Sequence, residues 1–200
     1  MRPDHSFNRK HDRPHQLQPV ALELPKISGA TRLRSLRLSD LPRFAEYRAD
    51  PHLAEYQSWE PMSQETAESF LNETADATHL KPGEWIQLAV AEAFADELVG
   101  DVGLFLSEDC TFAEIGFTLA RPAQGKGHAA RATELAVEQA FRVAAVLEVR
   151  AVTDQLNHAS VAVLRRAKFV QTGMRDTVFK EKACVEILFA RARGLPDDSG

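Results

Sequence analysis

Cysteine is scarce in this 200-residue chain, which has only Cys110 and Cys184. The two form neither a Cys-x-x-Cys pair nor a zinc-ligand spacing, so a disulfide scaffold and a structural zinc site are set aside and no metal is expected. Long apolar runs are also missing. No stretch approaches the roughly 20 apolar residues of a membrane-spanning helix. The first 28 residues hold Arg, His, Asp and Pro where a secretory signal would hold an apolar core. The expectation is a reducing, cytoplasmic location with no membrane partner. An excess of positive charge is lacking too: 24 Lys and Arg face 29 Asp and Glu, for a net charge of −5. Nucleic-acid binding draws on clustered cations facing phosphate, so nucleic acid is not the expected partner. A local basic groove for a small anion stays compatible with that charge.

What is present is an ordinary globular balance, 44% hydrophobic and 26% charged. A chain of this length buries a core without staples and suits one domain. Residues 1–28 contain four prolines and three scattered histidines, His5, His11 and His15, with little to bury. They are expected to form a disordered tail. The folded domain is expected over 29–193, with a flexible end over 194–200.

Within the domain, Leu33, Leu36 and Leu38 suggest a strand. Ser39-Asp40 then offers an N-cap to a helix carrying Leu41, Phe44, Ala45 and Arg48, which Asp50-Pro51 ends. Ser63 opens a second helix. Strand-like runs follow at Trp85–Ala91, Leu98–Leu106 and Ala113–Leu119, the first two joined by a hairpin over Ala93–Glu97. A helix after Ala129 buries Ala132, Leu135, Ala136, Ala140 and Val143. A strand at Val149–Thr153, a helix capped by Asn157 and a final strand pair complete the chain. The order β-α-α-β-β-β-α-β-α-β-β combines hairpins with crossovers, which implies an α/β domain with a mixed, largely antiparallel sheet.

The stretch Arg121-Pro-Ala-Gln-Gly-Lys-Gly-His-Ala129 carries the chemistry. Two glycines lie between a strand and a helix start. There the unpaired N–H groups and the positive dipole end suit a phosphate. A nucleoside-triphosphate loop is excluded, because Gly127 follows Lys126 where Ser or Thr is required. Gly125-x-Gly127-x-x-Ala130 also fits the dinucleotide fingerprint, with Glu148 near its acidic position. Against that reading, Arg-Pro-Ala-Gln separates loop from strand, Glu148 begins the next strand, and about 70 residues remain for the rest of such a fold. A plain turning loop is the third reading.

Gln124-Gly-Lys-Gly-His-Ala129 resembles the Gln/Arg-x-x-Gly-x-Gly/Ala signature of the GNAT acyltransferase superfamily. Three further segments resemble that family in the right order. Leu36-Arg-Leu-Ser-Asp-Leu41 looks like the first strand and helix, and Glu114-Ile-Gly-Phe-Thr-Leu119 like the fourth strand. Asn157-His-Ala-Ser160 looks like the Asn-x-x-Ser helix of the subfamily that acetylates ribosomal-protein N termini. The likeness spans about residues 30–192. One departure is Arg166-Ala167-Lys168-Phe169, where the subfamily reads Lys-x-Gly-Phe; losing the glycine is expected to tighten or shift the helix end.

The resemblance implies a GNAT fold and acetyl-CoA as cosubstrate. Gln124, Gly125, Lys126, Gly127, His128 and Ala129 would hold its pyrophosphate, chiefly through backbone N–H groups. Phe117, Thr118 and Leu119, on a strand splayed from its neighbour, would pair with the pantetheine arm and hold the thioester oxygen. Asn157 would cap its helix and touch the cofactor. Glu114 is the expected base, through water, with Glu186 as second choice; Ser160 would protonate the departing thiolate. Glu55 and Glu60 could select a cationic acceptor. His128 is expected to face phosphate or solvent and not to act as base, Arg131 to lie on a solvated face, and Trp59 and Trp85 to be core or pocket wall. The acceptor would be a protein N terminus or a small-molecule amine, and the protein a monomer or homodimer. An α-amine, with pKa near 7.7–8.0, needs less help from a base than a lysine near 10.4. The rival is a non-catalytic acyl-CoA-binding or interaction module on the same fold.

Overall fold

Alternating and continuous apolar runs produce the strands of one large sheet, seen in a computed structural model that describes residues 18–194. Two short strands come first, β1 (Val20–Ala21) and β2 (Lys26–Ser28), followed by β3 (Thr31–Ser35). Three helices follow, α1 (Leu41–Arg48), α2 (Pro51–Ala54) and α3 (Gln64–Thr74). Next come β4 (His79–Leu80), β5 (Trp85–Glu92), β6 (Leu98–Leu106) and β7 (Phe112–Leu119). The chain ends with α4 (His128–Ala140), β8 (Glu148–Asp154), α5 (His158–Arg166), β9 (Val170–Phe179) and β10 (Lys182–Ala192). The eight-stranded sheet runs β2-β3-β5-β6-β7-β8-β10-β9, and β1 pairs separately with β4. Every neighbour in the large sheet is antiparallel except β7 and β8. The expected α/β architecture is therefore present.

The expected tail needs correction at its inner end. Lys26–Ser28 pairs with Thr31–Leu33 and adds an edge strand, while Val20, Leu22 and Leu24 pack against the core. A β-hairpin around Gly29 satisfies backbone groups that polar composition alone does not reveal. Residues 1–17 and 195–200 of the two expected flexible ends lie outside the described residues.

The main core lies between the sheet and α4, whose Ala132, Leu135, Ala136 and Ala140 are buried as their 3.6-residue spacing requires. A second cluster under α1 and α3 gathers Leu36, Phe44, Tyr47, Ala67 and Leu71. Into it reaches Asp101 of β6, 1% exposed, which accepts from Arg48 Nη2 at 2.7 Å, Gln87 Nε2 at 2.8 Å and the Tyr47 hydroxyl. Burial, with that carboxylate alongside, pushes the Tyr47 phenol well above its ordinary value.

Two local expectations fail for identifiable reasons. Asp40 gives no side-chain cap to α1; its carboxylate takes both ends of the buried Arg34 guanidinium at 2.8 Å. A bidentate, charge-assisted pair outweighs a single N–H bond. The strand expected through Leu38 stops at Ser35, and Leu38 begins a 3-10 turn. Ser63 does cap α3, its hydroxyl accepting from Thr66 N at 3.1 Å.

Candidate active site

The parallel pair at the centre of the sheet opens almost as soon as it forms. β7 meets β8 over Phe112–Glu148, Ala113–Val149 and Glu114–Arg150 only, and from Ile115 onward β7 pairs with β6 alone. The edge this frees is defined by two side chains. Gln57 Nε2 donates to Phe117 O at 3.3 Å, and Gln124 Nε2 donates to Leu119 O at 3.1 Å. In a strand the N–H and C=O of one residue point the same way and alternate with the next residue. Phe117 and Leu119 thus present their backbone to the gap, and Thr118 presents its backbone to β6. Thr118 O sits so near Gly100 that a Cβ there would meet it at 2.2 Å. Of the three residues expected to pair with a ligand arm, Thr118 contributes its side chain only.

The loop after β7 is a donor cradle. Gly125 and Gly127 have φ of 74° and 83°, left-handed values that side-chain-bearing residues rarely adopt. Gly127 is the N-cap of α4. Among the described residues, the backbone N–H groups of Gly125 through Ala129 find no acceptor. Five donors at the positive end of a 13-residue helix form an anion site. Arg131 Nη1 donates to Lys126 O at 3.1 Å and braces the loop from beneath, a role spacing alone had not assigned. The Lys126 side chain is exposed and does not line the cavity below.

A cavity of about 640 Å³ fills the splay. Phe117, Thr118, Leu119, Gln124, Gly125, Gly127, His128 and Ala129 line it from the β7 side. Asn157 and Ser160 line it from α5, and Leu53, Tyr56 and Gln57 come from the α2 side. Arg121 and Arg166 supply positive charge at its wall; Arg121 is paired with Asp50 at 2.6 Å. Asn157 caps α5 as expected, its Oδ1 accepting from Ser160 N at 3.1 Å, and both residues line the cavity.

His128 departs from expectation. It is 4% exposed, and its Nδ1 lies 3.0 Å from the Thr31 hydroxyl, tying the start of α4 to β3. As the first helical residue its side chain is swung under the loop, toward the sheet, and burial lowers its pKa. Glu114 is half-buried and lies outside the cavity lining, on the opposite face of β7 from Ile115. Burial raises its pKa; Arg150 and Arg175 oppose the shift and Glu186 adds to it. Glu186 is paired with Arg175 at 2.7 Å.

Sequence reasoning gave the segment 50–60 Glu55 and Glu60 as selectors of a cationic acceptor but not the contacts that anchor it. Its two ends and middle are tied down: Asp50 to Arg121, Gln57 to Phe117 O, and Ala54 O and Trp59 O to Lys180 Nζ at 3.0 and 2.9 Å. No periodic pattern marks such a strap, because its contacts are made by single residues to distant backbone. Trp59 is half-buried and packs over Arg48, with 4.4 Å from guanidinium carbon to ring centroid, so it stands in neither expected place, core or cavity wall.

Comparison with known proteins agrees with this geometry. The family described as the acetyltransferase (GNAT) domain matches residues 31–170. An uncharacterized N-acetyltransferase p20 of Bacillus licheniformis is 23% identical over 151 residues, 75% of this chain and 84% of that protein. The ribosomal-protein-S5-alanine acetyltransferase of Vibrio fischeri superposes with a TM-score of 0.68 at 19% identity, over 88% of this chain and 98% of that one. The spermidine N-acetyltransferase of Vibrio cholerae, solved with CoA and spermine, gives 0.68 at 20% identity over 82% and 96%. Among the described residues no helix is long and apolar enough to cross a membrane. With its splayed parallel pair, its glycine loop at a helix start and a family match over most of its length, the chain belongs to the GNAT acetyltransferases, enzymes that move an acetyl group from acetyl-CoA to an amine.

Proposed function

We propose that this enzyme acetylates a small primary amine, with the loop Gln124–Ala129 and the free edge of β7 holding acetyl-CoA. The five unpartnered N–H groups of Gly125–Ala129 carry the cosubstrate half of this reading. They suit a pyrophosphate, and Arg166 and Arg121 stand near enough to the cavity to meet further phosphate charge. The Phe117 and Leu119 edge suits the amides of a pantetheine arm, and Asn157 and Ser160 face the same cavity.

Acetyl-CoA supplies a thioester, whose acyl carbon bonds to the amine nitrogen as the C–S bond breaks and its electron pair leaves on sulfur. Phe117 N–H, or Leu119 N–H, stabilises the charge gathering on the acyl oxygen. Glu114 takes the proton released from nitrogen. Three residues along a strand from Phe117, it stands about 10 Å away, so the proton crosses through water. A carboxylate whose pKa is raised by burial is a better base than an exposed one. Ser160 gives a proton to the thiolate, a modest aid because a thiol of pKa near 8.5 already leaves well.

The small acceptor follows from the strap. A long polypeptide needs an open channel between residues 55–62 and 180–186. Here Lys180 Nζ spans that gap, bonded to Ala54 O and Trp59 O and paired with Glu60 at 2.9 Å.

Calorimetric titration with acetyl-CoA, followed by thiol release on a panel of amines and of peptides with free N termini, tests the reading. One site per chain and turnover of small amines are expected. Binding without turnover of any amine would leave a non-catalytic acyl-CoA module, and preference for peptides would reassign the acceptor. Gly125→Asp is expected to weaken acetyl-CoA binding more than tenfold, by about 1.4 kcal/mol or more. Aspartate tolerates the left-handed conformation, and no atom lies within 4 Å of the added Cβ, so the fold survives while a charge faces the pyrophosphate.

A further inference from the structure

Gly116 is a glycine that the fold does not require. It lies inside β7, and it is not among the glycines with positive φ. Two glycines of the neighbouring strand β6 have evident reasons. A Cβ on Gly100 would strike Thr118 O, and one on Gly103 would come 3.1 Å from Gln87 Oε1 and 3.3 Å from the Trp85 ring. At Gly116 an added Cβ would meet nothing within 4 Å. A side chain would fit there and would strengthen the strand, since glycine in a strand interior weakens it. What the glycine preserves is empty space.

That space has a definite setting. Alternation along β7 puts Gly116 on the face shared by Glu114 and Thr118, two residues to either side. Its cross-strand partner is Gly103, over which the Gln87 side chain and the Trp85 ring already stand, so the space over Gly116 is bounded on the β6 side. The row on one side is Trp85, Phe105 and Glu114, with the two rings 5.5 Å apart and Trp85 55% exposed. The row on the other side is Asp101 and Thr118, and Thr118 already lines the cavity. Pairing of β7 with β8 ends at Glu114, so Gly116 also stands at the throat of the splay. Phe117, whose backbone faces the gap, is the next residue.

We propose that the space over Gly116 is the lane along which the acceptor amine reaches the thioester, and that it admits an unbranched primary amine. This rests on the acetyl-transfer reading above. An amine nitrogen above Gly116 lies one residue from the Phe117 edge and about 7 Å along the strand from Glu114, room for one bridging water. The Trp85 and Phe105 rings offer an apolar wall to a methylene chain, and Glu114 offers a counter-charge to its ammonium end. A branch beside the nitrogen would turn toward Gly103, where Gln87 Oε1 and the Trp85 ring already stand.

The series Gly116→Ala, Gly116→Val and Gly116→Leu tests this with two probes, putrescine and a tetrapeptide beginning with alanine, whose amine sits on a branched carbon. Acetyl-CoA affinity by calorimetry and kcat/KM for each probe are the readouts, with thermal melting to confirm folding. The wild type is expected to prefer putrescine. Its kcat/KM is expected to fall stepwise along the series, tenfold or more at Val and Leu, with acetyl-CoA affinity held within about twofold. If Leu does not fold, Ala and Val carry the comparison. Unchanged putrescine kinetics across folded variants overturn the lane. So does a fall in acetyl-CoA affinity that matches the fall in turnover, because the side chain would then be blocking the cosubstrate. A wild type that prefers the tetrapeptide overturns the unbranched shape. A wild type that acetylates other amines of the panel but neither probe overturns this inference alone, and one that acetylates no amine overturns the acetyl-transfer reading beneath it as well.

Discussion

Glu114 and His128 are both titratable, both partly or wholly removed from water, and shifted in opposite directions by the same cause. Burial disfavours the charged form, which raises a carboxylate and lowers an imidazole. For Glu114 the folded state therefore holds its proton to higher pH than the unfolded state does. Stability falls as pH rises from the ordinary carboxylate value through the raised one, and the deficit persists at pH 7. Glu114→Gln removes the charge and keeps the shape. It is expected to raise the melting temperature at pH 7 and to have no such advantage at pH 4. The same variant is expected to lower kcat/KM for the amine by about a hundredfold or more and to flatten its rise with pH, with acetyl-CoA binding unchanged. A pH profile measured alongside thermal melts checks both halves. For His128 the sign is reversed: its folded pKa is lowered, so its contribution is present above the ordinary imidazole value and is lost as pH falls from there through the lowered one.

The end of α5 shows how an element can keep its geometry with an unsuitable residue. Lys168 N donates to Arg165 O at 3.1 Å and Phe169 N donates to Leu164 O at 3.0 Å, the paired bonds of a Schellman cap. Lys168 takes the left-handed position at φ 64°, and Phe169 is buried to complete the cap's apolar contact. The helix end is thus neither tightened nor shifted, as the missing glycine had suggested. The strain is borne at Lys168, because Phe169 and the sheet hold the chain on either side. Lys168→Gly is expected to stabilise the protein by roughly 1 kcal/mol, seen as a higher midpoint in urea with an unchanged slope. Since Arg166 and Ser160 line the cavity from this helix, acetyl-CoA affinity should stay the same.

At the scale of the molecule, the sheet joins two regions far apart in sequence around the splay. The hairpin tip between β9 and β10 reaches the strap after α2 through Lys180, whose ammonium meets the terminal carbonyl of a helix, a loop carbonyl and a carboxylate. The strap in turn touches the cavity through Tyr56 and Gln57. Lys180→Met keeps the stem and removes the bonds. The expected result is a three- to tenfold higher KM for the small amine, roughly what loss of partly exposed charged hydrogen bonds costs, with kcat and acetyl-CoA affinity little changed. Steady-state kinetics with each substrate varied in turn separate the two. An equal loss in acetyl-CoA affinity would place the strap's role at the cosubstrate instead.

The sequence by itself determined what local physics controls. Strand runs such as Leu98–Leu106, the buried stripe of α4, the Ser63 and Asn157 caps and the glycines at 125 and 127 rest on periodicity, side-chain chemistry and backbone sterics within a few residues. The glycine loop proposed to hold acetyl-CoA was legible for that reason. Tertiary structure decided whatever depends on a distant partner. Asp40 left its cap for Arg34, His128 turned inward to Thr31, residues 26–28 found a strand to pair with, and Thr118 lost its place on the free edge to its neighbours. The strap, Lys180 and the space over Gly116 belong to the same class. Their meaning lies in which carbonyls or empty volume stand opposite, and that is settled only when strands remote in the chain are laid side by side.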